Sequence, residues 1–274
     1  MLEAIIPASR EWDFEAERPE APDSDFVPQT AERIQYWEPN AGVGSNNWAV
    51  HGSKTASGYP ILAGDPHLSL SLPSIWMEVQ LNAPGYNSYG VAFQGIPGIM
   101  IGFNEHIAFS ETNTGSDVMD WYEIEFKDEL QNEYFYDGSW VASRKRIEEI
   151  KVRGGETIID TLVFTHHGPV MLANPNDTVG EAIYHAMRWV GHETGNSLAT
   201  FIGLNKARNY DEYVDALKGY VAPAQNFIFA SNEGDVALWV NGQFPNKWDY
   251  QGQTVSDGRD PAYDWQGWIP QQHN

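Results

Sequence analysis

The sequence contains no cysteine, few basic residues and no long apolar run. Without cysteine it can form no disulfide, no thiolate nucleophile and no cysteine-ligated zinc site. The 16 Lys and Arg against 38 Asp and Glu give a net charge of −22, which makes nucleic acid and an anionic membrane surface poor partners. No apolar stretch approaches the roughly 18 residues of a membrane span. The first seven residues have neither the basic start nor the apolar stretch of a signal peptide.

The first 44 residues differ in composition from the rest. They carry ten acids and three arginines, a net charge of −7, and five prolines. This composition is typical of an extended or poorly ordered arm. We therefore place a boundary between an acidic spacer, residues 1–44, and a folded segment, residues 45–274.

Short apolar or alternating runs separated by Gly, Pro and Asn dominate the folded segment, and they predict strands. The predicted strands are 47–50, 61–63, 75–81, 89–93, 99–103, 121–126, 147–152, 157–164, 182–189, 227–230 and 236–240. Helices are predicted at 198–206, capped by Ser197, and at 210–218, capped by Asn209. The fold class is α+β and rich in antiparallel strands.

Familiar catalytic motifs are missing from the sequence. It contains no G-x-S-x-G, no S-x-x-K, no phosphate loop and no H-E-x-x-H. Among eight histidines only His166 and His167 are adjacent. Because neighbours on a strand point to opposite faces, this pair is expected to be a poor chelate, and structural roles are the better interpretation.

Two other groups of residues could carry chemistry. Ser45 follows Gly44 at the start of a predicted strand. If the Gly44–Ser45 bond were cut, the freed α-amine, with a pKa near 7.7–8.0, could activate the serine's own hydroxyl. Residues 112–120 contain small polar residues and two acids three apart, which could offer backbone N–H donors and oxygen ligands for calcium. From spacing alone, a turn and a loop remain the simpler interpretations.

An alternative function comes from the aromatic content. Eleven tryptophans and thirteen tyrosines among many carboxylates also suit a carbohydrate-binding β-domain, because aromatic faces stack on sugars. A glycosidase would need a pair of carboxylates at a defined separation, which a sequence cannot show.

Several separated motifs resemble the penicillin acylases, a family of N-terminal-nucleophile (Ntn) amidohydrolases, in the family's order. The resemblance covers about residues 42–270 and implies a partial Ntn-hydrolase αββα sandwich. The matching segments are residues 44–48 (GSNNW), 54–68 (KTASGYPILAGDPHL), 73–79 (PSIWMEV), 95–98 (GIPG), 102–104 (GFN), 112–113 (TN), 167–170 (HGPV) and 264–267 (DWQG).

The resemblance implies roles for particular residues in hydrolysis of a small acyl amide, such as a β-lactam side chain or an N-acyl homoserine lactone. Ser45 would be the nucleophile, released by self-cleavage at Gly44–Ser45. His67 stands where the family uses a backbone carbonyl to orient the serine amine. Asn113 matches a backbone oxyanion-hole donor, with Thr114 as the alternative if the alignment shifts by one.

The resemblance also implies binding residues. The calcium ligands would be Asp117, the carbonyl of Met119, and Asp120. No organic cofactor is implied. Four apolar residues are candidates for the acyl pocket, with a plain core role at least as plausible for each: Leu68, Leu70, Trp76 and Ile99.

The sequence departs from the family pattern in its length. The family's second oxyanion donor is an asparagine downstream of the Asp-Trp-x-Gly motif, and further calcium ligands come from elsewhere in the precursor. We therefore expect a segment made of an α-chain tail and the first part of the β-chain, nearly inactive alone as an amidase. Its partner would be the α-chain segment of the same precursor, and the resemblance implies a periplasmic or secreted protein.

Overall fold

The computed structural model describes residues 19–28, 44–172 and 183–271. Among them no helix is long and apolar enough to cross a membrane. The described residues form two α-helices, α1 (Ser197–Leu204) and α2 (Tyr210–Leu217). The strands are β1 (Gly44–Val50), β2 (Ile61–His67), β3 (Trp76–Ala83), β4 (Tyr86–Phe93), β5 (Ile101–Asn104), β6 (Ile107–Asn113), β7 (Met119–Ile124), β8 (Glu133–Tyr136), β9 (Ser139–Ala142), β10 (Arg144–Ile150), β11 (Ile158–Phe164), β12 (Val170–Leu172), β13 (Tyr184–Trp189), β14 (Gln225–Ser231), β15 (Val236–Asn241), β16 (Phe244–Pro245), β17 (Ser256–Asp257) and β18 (Trp268–Ile269).

The largest sheet has six antiparallel strands in the order β15-β14-β6-β5-β4-β3. Helices α1 and α2 pack on it, and their buried residues Phe201 and Tyr213 join Phe227 and Phe229 of β14 in the main core. Removing such aromatic side chains from water is the dominant stabilisation of this layer. The sheet and the helices together enclose this core.

A second sheet has the order β12-β13-β7-β17. Its strand β7 alternates as the sequence predicts, with Tyr122 and Ile124 buried on one face. These two residues pack with Tyr134 and Ala186 in a smaller core. The remaining strands pair two by two, as β1-β2, β8-β9, β10-β11 and β16-β18.

The eleven predicted strands all coincide with observed ones, with shifted ends; residue 182 lies outside the described residues. Asn209 caps α2 as predicted, accepting from the Glu212 N–H at 2.9 Å. The cap predicted for α1 is wrong: Asn196 accepts from the Ala199 N–H, while the Ser197 hydroxyl donates to the carbonyl of Ala222. The asparagine is the better placed acceptor because Ser197 already has helical backbone geometry.

Most of the acidic arm, residues 1–18 and 29–43, lies outside the described residues. Residues 19–28 contain neither helix nor strand. Within them Phe26 packs edge-on against Tyr263, with ring centroids 6.0 Å apart, and the Arg259 guanidinium lies 5.9 Å from the centre of the same ring. The arm therefore has an aromatic anchor on the folded segment.

Candidate active site

Ser45 is the second residue of β1, and the β1–β2 hairpin fixes what lies opposite it. In the antiparallel register Gly44 faces His67 and Ser45 faces Pro66. The Ser45 hydroxyl donates to the carbonyl of Gly44 at 2.5 Å. The hydroxyl thus lies against the peptide bond at which self-cleavage is predicted.

The imidazole of His67 is engaged by a neighbour on its own strand. Its Nε2 lies 2.8 Å from Oδ2 of Asp65, and both side chains are substantially exposed. The backbone of His67 pairs with Gly44 across the hairpin. This placement agrees with a role for the His67 backbone near the serine rather than for its ring.

A chain of amide hydrogen bonds connects the serine strand to the end of β6. The Asn47 side chain donates to the carbonyl of Asn226 at 3.1 Å. Asn226, on β14, donates in turn to the Thr112 hydroxyl at 3.1 Å and to the carbonyl of Asn113 at 3.3 Å. The structure therefore ties the strand of Ser45 to the strand of the predicted oxyanion donor. Neither residue was predicted to have a role: Asn47 lies within the GSNNW segment but the resemblance implies no function for it, and Asn226 lies outside the matching segments.

The loop after β6 distinguishes the two oxyanion candidates. The Thr114 N–H donates to the carbonyl of Ala224 at 3.4 Å, which occupies that donor. The Asn113 side chain accepts from the Gly115 N–H at 2.6 Å, an Asx turn that fixes the start of the loop. Residue 113 pairs with Gln225 of β14, and its role as an oxyanion donor stays a prediction.

A glycine allows the hairpin to approach β6 closely. A Cβ at Gly64 would lie 2.1 Å from the buried Ser110 hydroxyl oxygen and 2.7 Å from its Cβ, so a larger residue would force β2 or Ser110 to shift. This close contact holds the β1–β2 hairpin, which carries Ser45, against β6.

The four candidates for an acyl pocket lie in different environments. Ile99 is fully buried in the main core, so as described it offers no surface to a ligand. Trp76 stacks on Phe93 at 4.5 Å. Leu68 and Leu70 are exposed, Leu70 completely. The structure does not gather these four side chains, and their role stays a prediction.

Asp117 and Asp120, two predicted calcium ligands, bind a lysine. Lys247 Nζ lies 2.8 Å from Oδ2 of Asp117 and 2.9 Å from Oδ1 of Asp120. Trp265 Nε1 donates to the other Asp120 oxygen at 2.5 Å. Burial raises the pKa of the fully buried Asp120, against the opposing effect of Lys247. As arranged, these residues do not fit a calcium ion, because an ammonium group occupies the space between the carboxylates.

The adjacent histidines form a cluster with Asp264. The expectation that they point to opposite faces holds for a strand, but His166 and His167 lie in a turn closed by hydrogen bonds between Thr165 and Gly168. Their ring centroids are 3.8 Å apart, and both rings face Asp264. Burial lowers the pKa of His167 to about 3, and its ring stacks on Tyr122 at 3.8 Å. The expectation of opposite faces is wrong because a turn does not alternate.

Comparisons with known proteins identify the family of the chain. The family model described as penicillin amidase matches residues 4–274. The acyl-homoserine lactone acylase QuiP of Pseudomonas aeruginosa is 32% identical over 82% of this chain. The penicillin acylase 2 proenzyme of Pseudomonas sp. strain SE83 is 30% identical over 84%. The chain spans 28% and 29% of these two relatives.

A solved structure supports the fold. The thermostable penicillin G acylase from Alcaligenes faecalis aligns with a TM-score of 0.73 at 22% identity, over 82% of this chain and 40% of that one. The predicted α+β, antiparallel-strand-rich fold of the Ntn-hydrolase type is confirmed.

Proposed function

The chain belongs to the penicillin amidase family, and we propose that its native gene product is an amidohydrolase with Ser45 as nucleophile. The observation that carries the proposal is the connected arrangement of the serine hairpin, Asn226 and the end of β6. Family membership favours this function over the carbohydrate-binding alternative. The substrate class is a linear acyl amide, either an N-acyl homoserine lactone or the side chain of a β-lactam, after the names of the relatives.

Maturation begins at the Gly44–Ser45 bond in this proposal. The hydroxyl of Ser45 attacks the Gly44 carbonyl carbon, and the C–N bond breaks as the nitrogen takes up a proton and becomes the α-amine of Ser45. Water then hydrolyses the resulting ester, which frees the Gly44 carboxylate and restores the Ser45 hydroxyl. The backbone of His67, opposite Gly44, holds the new terminus. Because that amine titrates near 7.7–8.0, it is neutral enough at mildly alkaline pH to accept a proton.

Turnover then uses the same hydroxyl on the substrate. The α-amine takes the hydroxyl proton as the oxygen attacks the amide carbonyl, and it returns the proton to the departing amine. The Asn113 N–H donates to the developing oxyanion, a contribution that can reach 10²–10³-fold in rate for one donor. Water hydrolyses the acyl ester and releases the acid.

Calcium takes no step in this mechanism. The predicted calcium ligands are assigned no metal in this proposal, because Lys247 supplies the positive charge between Asp117 and Asp120 in the structure. We also propose that the arm stays bound after cleavage through Phe26 and that the protein is exported. Native mass spectrometry of the matured protein and cell fractionation test these two points.

The test uses the native gene product and its intact mass. We expect a polypeptide beginning Ser-Asn-Asn-Trp, and hydrolysis of acyl amides in a panel that includes acyl-homoserine lactones and phenylacetyl amides. Ser45→Ala should abolish both cleavage and activity. Ser57→Ala, a change at another exposed serine, should leave both intact. Undiminished activity of the Ser45→Ala variant would exclude the mechanism.

A further inference from the structure

The cluster of His166, His167 and Asp264 brings three potential ligand atoms together from two distant parts of the chain. Oδ1 of Asp264 lies 3.6 Å from Nε2 of His166 and 3.6 Å from Nδ1 of His167. All three atoms lie within 4.8 Å of one another. In tetrahedral zinc with bonds near 2.0–2.1 Å, ligand atoms are about 3.4 Å apart. The cluster is therefore close to the size of a metal site.

In each of the three side chains, the polar atom that faces away from the centre of the cluster already has a hydrogen-bond partner. His166 Nδ1 lies 3.0 Å from the Tyr134 hydroxyl, and the Tyr136 hydroxyl donates to Asp264 Oδ2 at 2.6 Å. His167 Nε2 lies 3.3 Å from the carbonyl of Gly258. Metal-ligating imidazoles and carboxylates characteristically have such outer partners, which orient the ligand atom inward.

On the side that faces the centre of the cluster, no donor lies between His167 and Asp264. A carbonyl can only accept, so the hydrogen bond to Gly258 places the proton of His167 on Nε2 and a lone pair on Nδ1. That lone pair faces Asp264 Oδ1, which is buried and has no hydrogen-bond partner. A separation of 3.6 Å is too long for a hydrogen bond. Two acceptor atoms that face each other without a proton leave room for a cation.

We propose that His166, His167 and Asp264 bind a first-row transition metal ion of the zinc class. Two imidazole nitrogens and one carboxylate oxygen suit zinc, nickel or copper and are a poor set for calcium or magnesium. The His166 side chain is 35% exposed and the His167 side chain 3%. The ion therefore enters past His166, and water completes its coordination. Bound there, it joins the Thr165–Gly168 turn to the segment that begins the Asp-Trp-Gln-Gly motif.

The test is calorimetric titration of the metal-free native gene product with zinc chloride. We expect one equivalent to bind and to raise Tm, and cobalt(II) at the same site to show visible absorption bands of a tetrahedral ion. His166→Ala changes an exposed residue and should fold. It should weaken zinc binding by more than the roughly tenfold to hundredfold that loss of an outer partner costs.

Two further variants make the result decisive. Asp264→Asn should weaken binding as well, while His106→Ala, at an exposed histidine outside the cluster, should bind zinc like the unchanged protein. Absence of zinc binding by the unchanged protein would overturn the proposal. Equal binding by His166→Ala would overturn it too. Amide hydrolysis by Ser45 is measured separately, so failure of either idea leaves the other standing.

Discussion

Asp120 and Asp264 are carboxylates close to each other in space, but they are compensated in different ways. Asp120 receives an ammonium from Lys247 and an N–H from Trp265, so both of its oxygens are bound. Asp264 receives a hydroxyl from Tyr136 on one oxygen, and its other oxygen faces two imidazoles without a hydrogen bond. Trp265, the residue after Asp264, connects the two groups. The charge of Asp120 is therefore compensated by Lys247, whereas the charge of Asp264 would be compensated by the metal ion that we propose.

Replacing Lys247 should cause the largest loss of stability among the changes to these two carboxylate groups. Lys247→Met leaves Asp120 buried without its cation, and breaking a buried pair in this way costs about 3–5 kcal/mol. Chemical unfolding monitored by tryptophan fluorescence measures the loss. Lys218→Met is the matched control, because its ion pair with Asp215 is exposed on both sides and should contribute less than about 1 kcal/mol.

Unfolding in the presence of calcium is a second test of the assignment of Lys247 as the cation. The unchanged protein should unfold at the same denaturant concentration with calcium or with a chelator, because Lys247 occupies the space between the acids. A protein that loses stability on chelation of calcium would contradict this assignment of the cation.

Lowering the pH should destabilise the protein through His167, the buried neutral histidine beside Asp264. Burial lowers the folded-state pKa of His167 to about 3, against an ordinary value of 6.5. The folded state therefore binds fewer protons than the unfolded state in this window. The stability from His167 is complete above about pH 6.5 and is lost as the pH falls toward 3, with a slope of up to about 1.4 kcal/mol per pH unit.

The measurement is the free energy of unfolding of the zinc-free protein at a series of pH values. His167→Gln should be less stable at neutral pH and should show a shallower acid slope. His185, whose pKa burial also lowers, contributes in the same direction and is unchanged in both proteins. Parallel slopes for the two proteins would show that His167 is not the group responsible.

Loss of the hydrogen bond from Trp265 to Asp120 should cause the smallest loss of stability. Trp265→Phe keeps an aromatic side chain but removes the N–H that Asp120 accepts, which should cost about 1–3 kcal/mol. Thermal unfolding measures it against Trp140→Phe, a change at a partly exposed tryptophan. A Trp265 variant as stable as its control would mean that Lys247 alone satisfies Asp120.

Strand positions were predictable where side-chain pattern and burial agree. Tyr122 and Ile124 alternate with acids and are buried as expected. Strand β6 was missed because its second half, Ser110 to Asn113, is polar. It lies between β14 and β5 in the sheet, and its backbone pairing, rather than apolar side chains, fixes it there.

In the candidate site too, the residues within a local sequence motif were predictable and those that depend on tertiary structure were not. Ser45 and its neighbours could be predicted because a sequence motif covers them, and their role stays a prediction. Lys247 was missed because it is a single residue 127 positions from Asp120, with nothing in its local sequence to mark it. The histidine cluster was missed because its geometry depends on a turn, and turn geometry follows from Gly168 at φ 142° and the closing hydrogen bonds rather than from strand alternation.

The hydrogen bond from Asn47 to Asn226 has a consequence for the timing of maturation. It joins residues 179 positions apart, so it forms only after β14 has been made and has paired with β6. Under the proposed mechanism a nascent or misfolded chain lacks this support and keeps its Gly44–Ser45 bond intact. Self-cleavage then acts as a quality check: the nucleophile is released only in molecules that have finished folding.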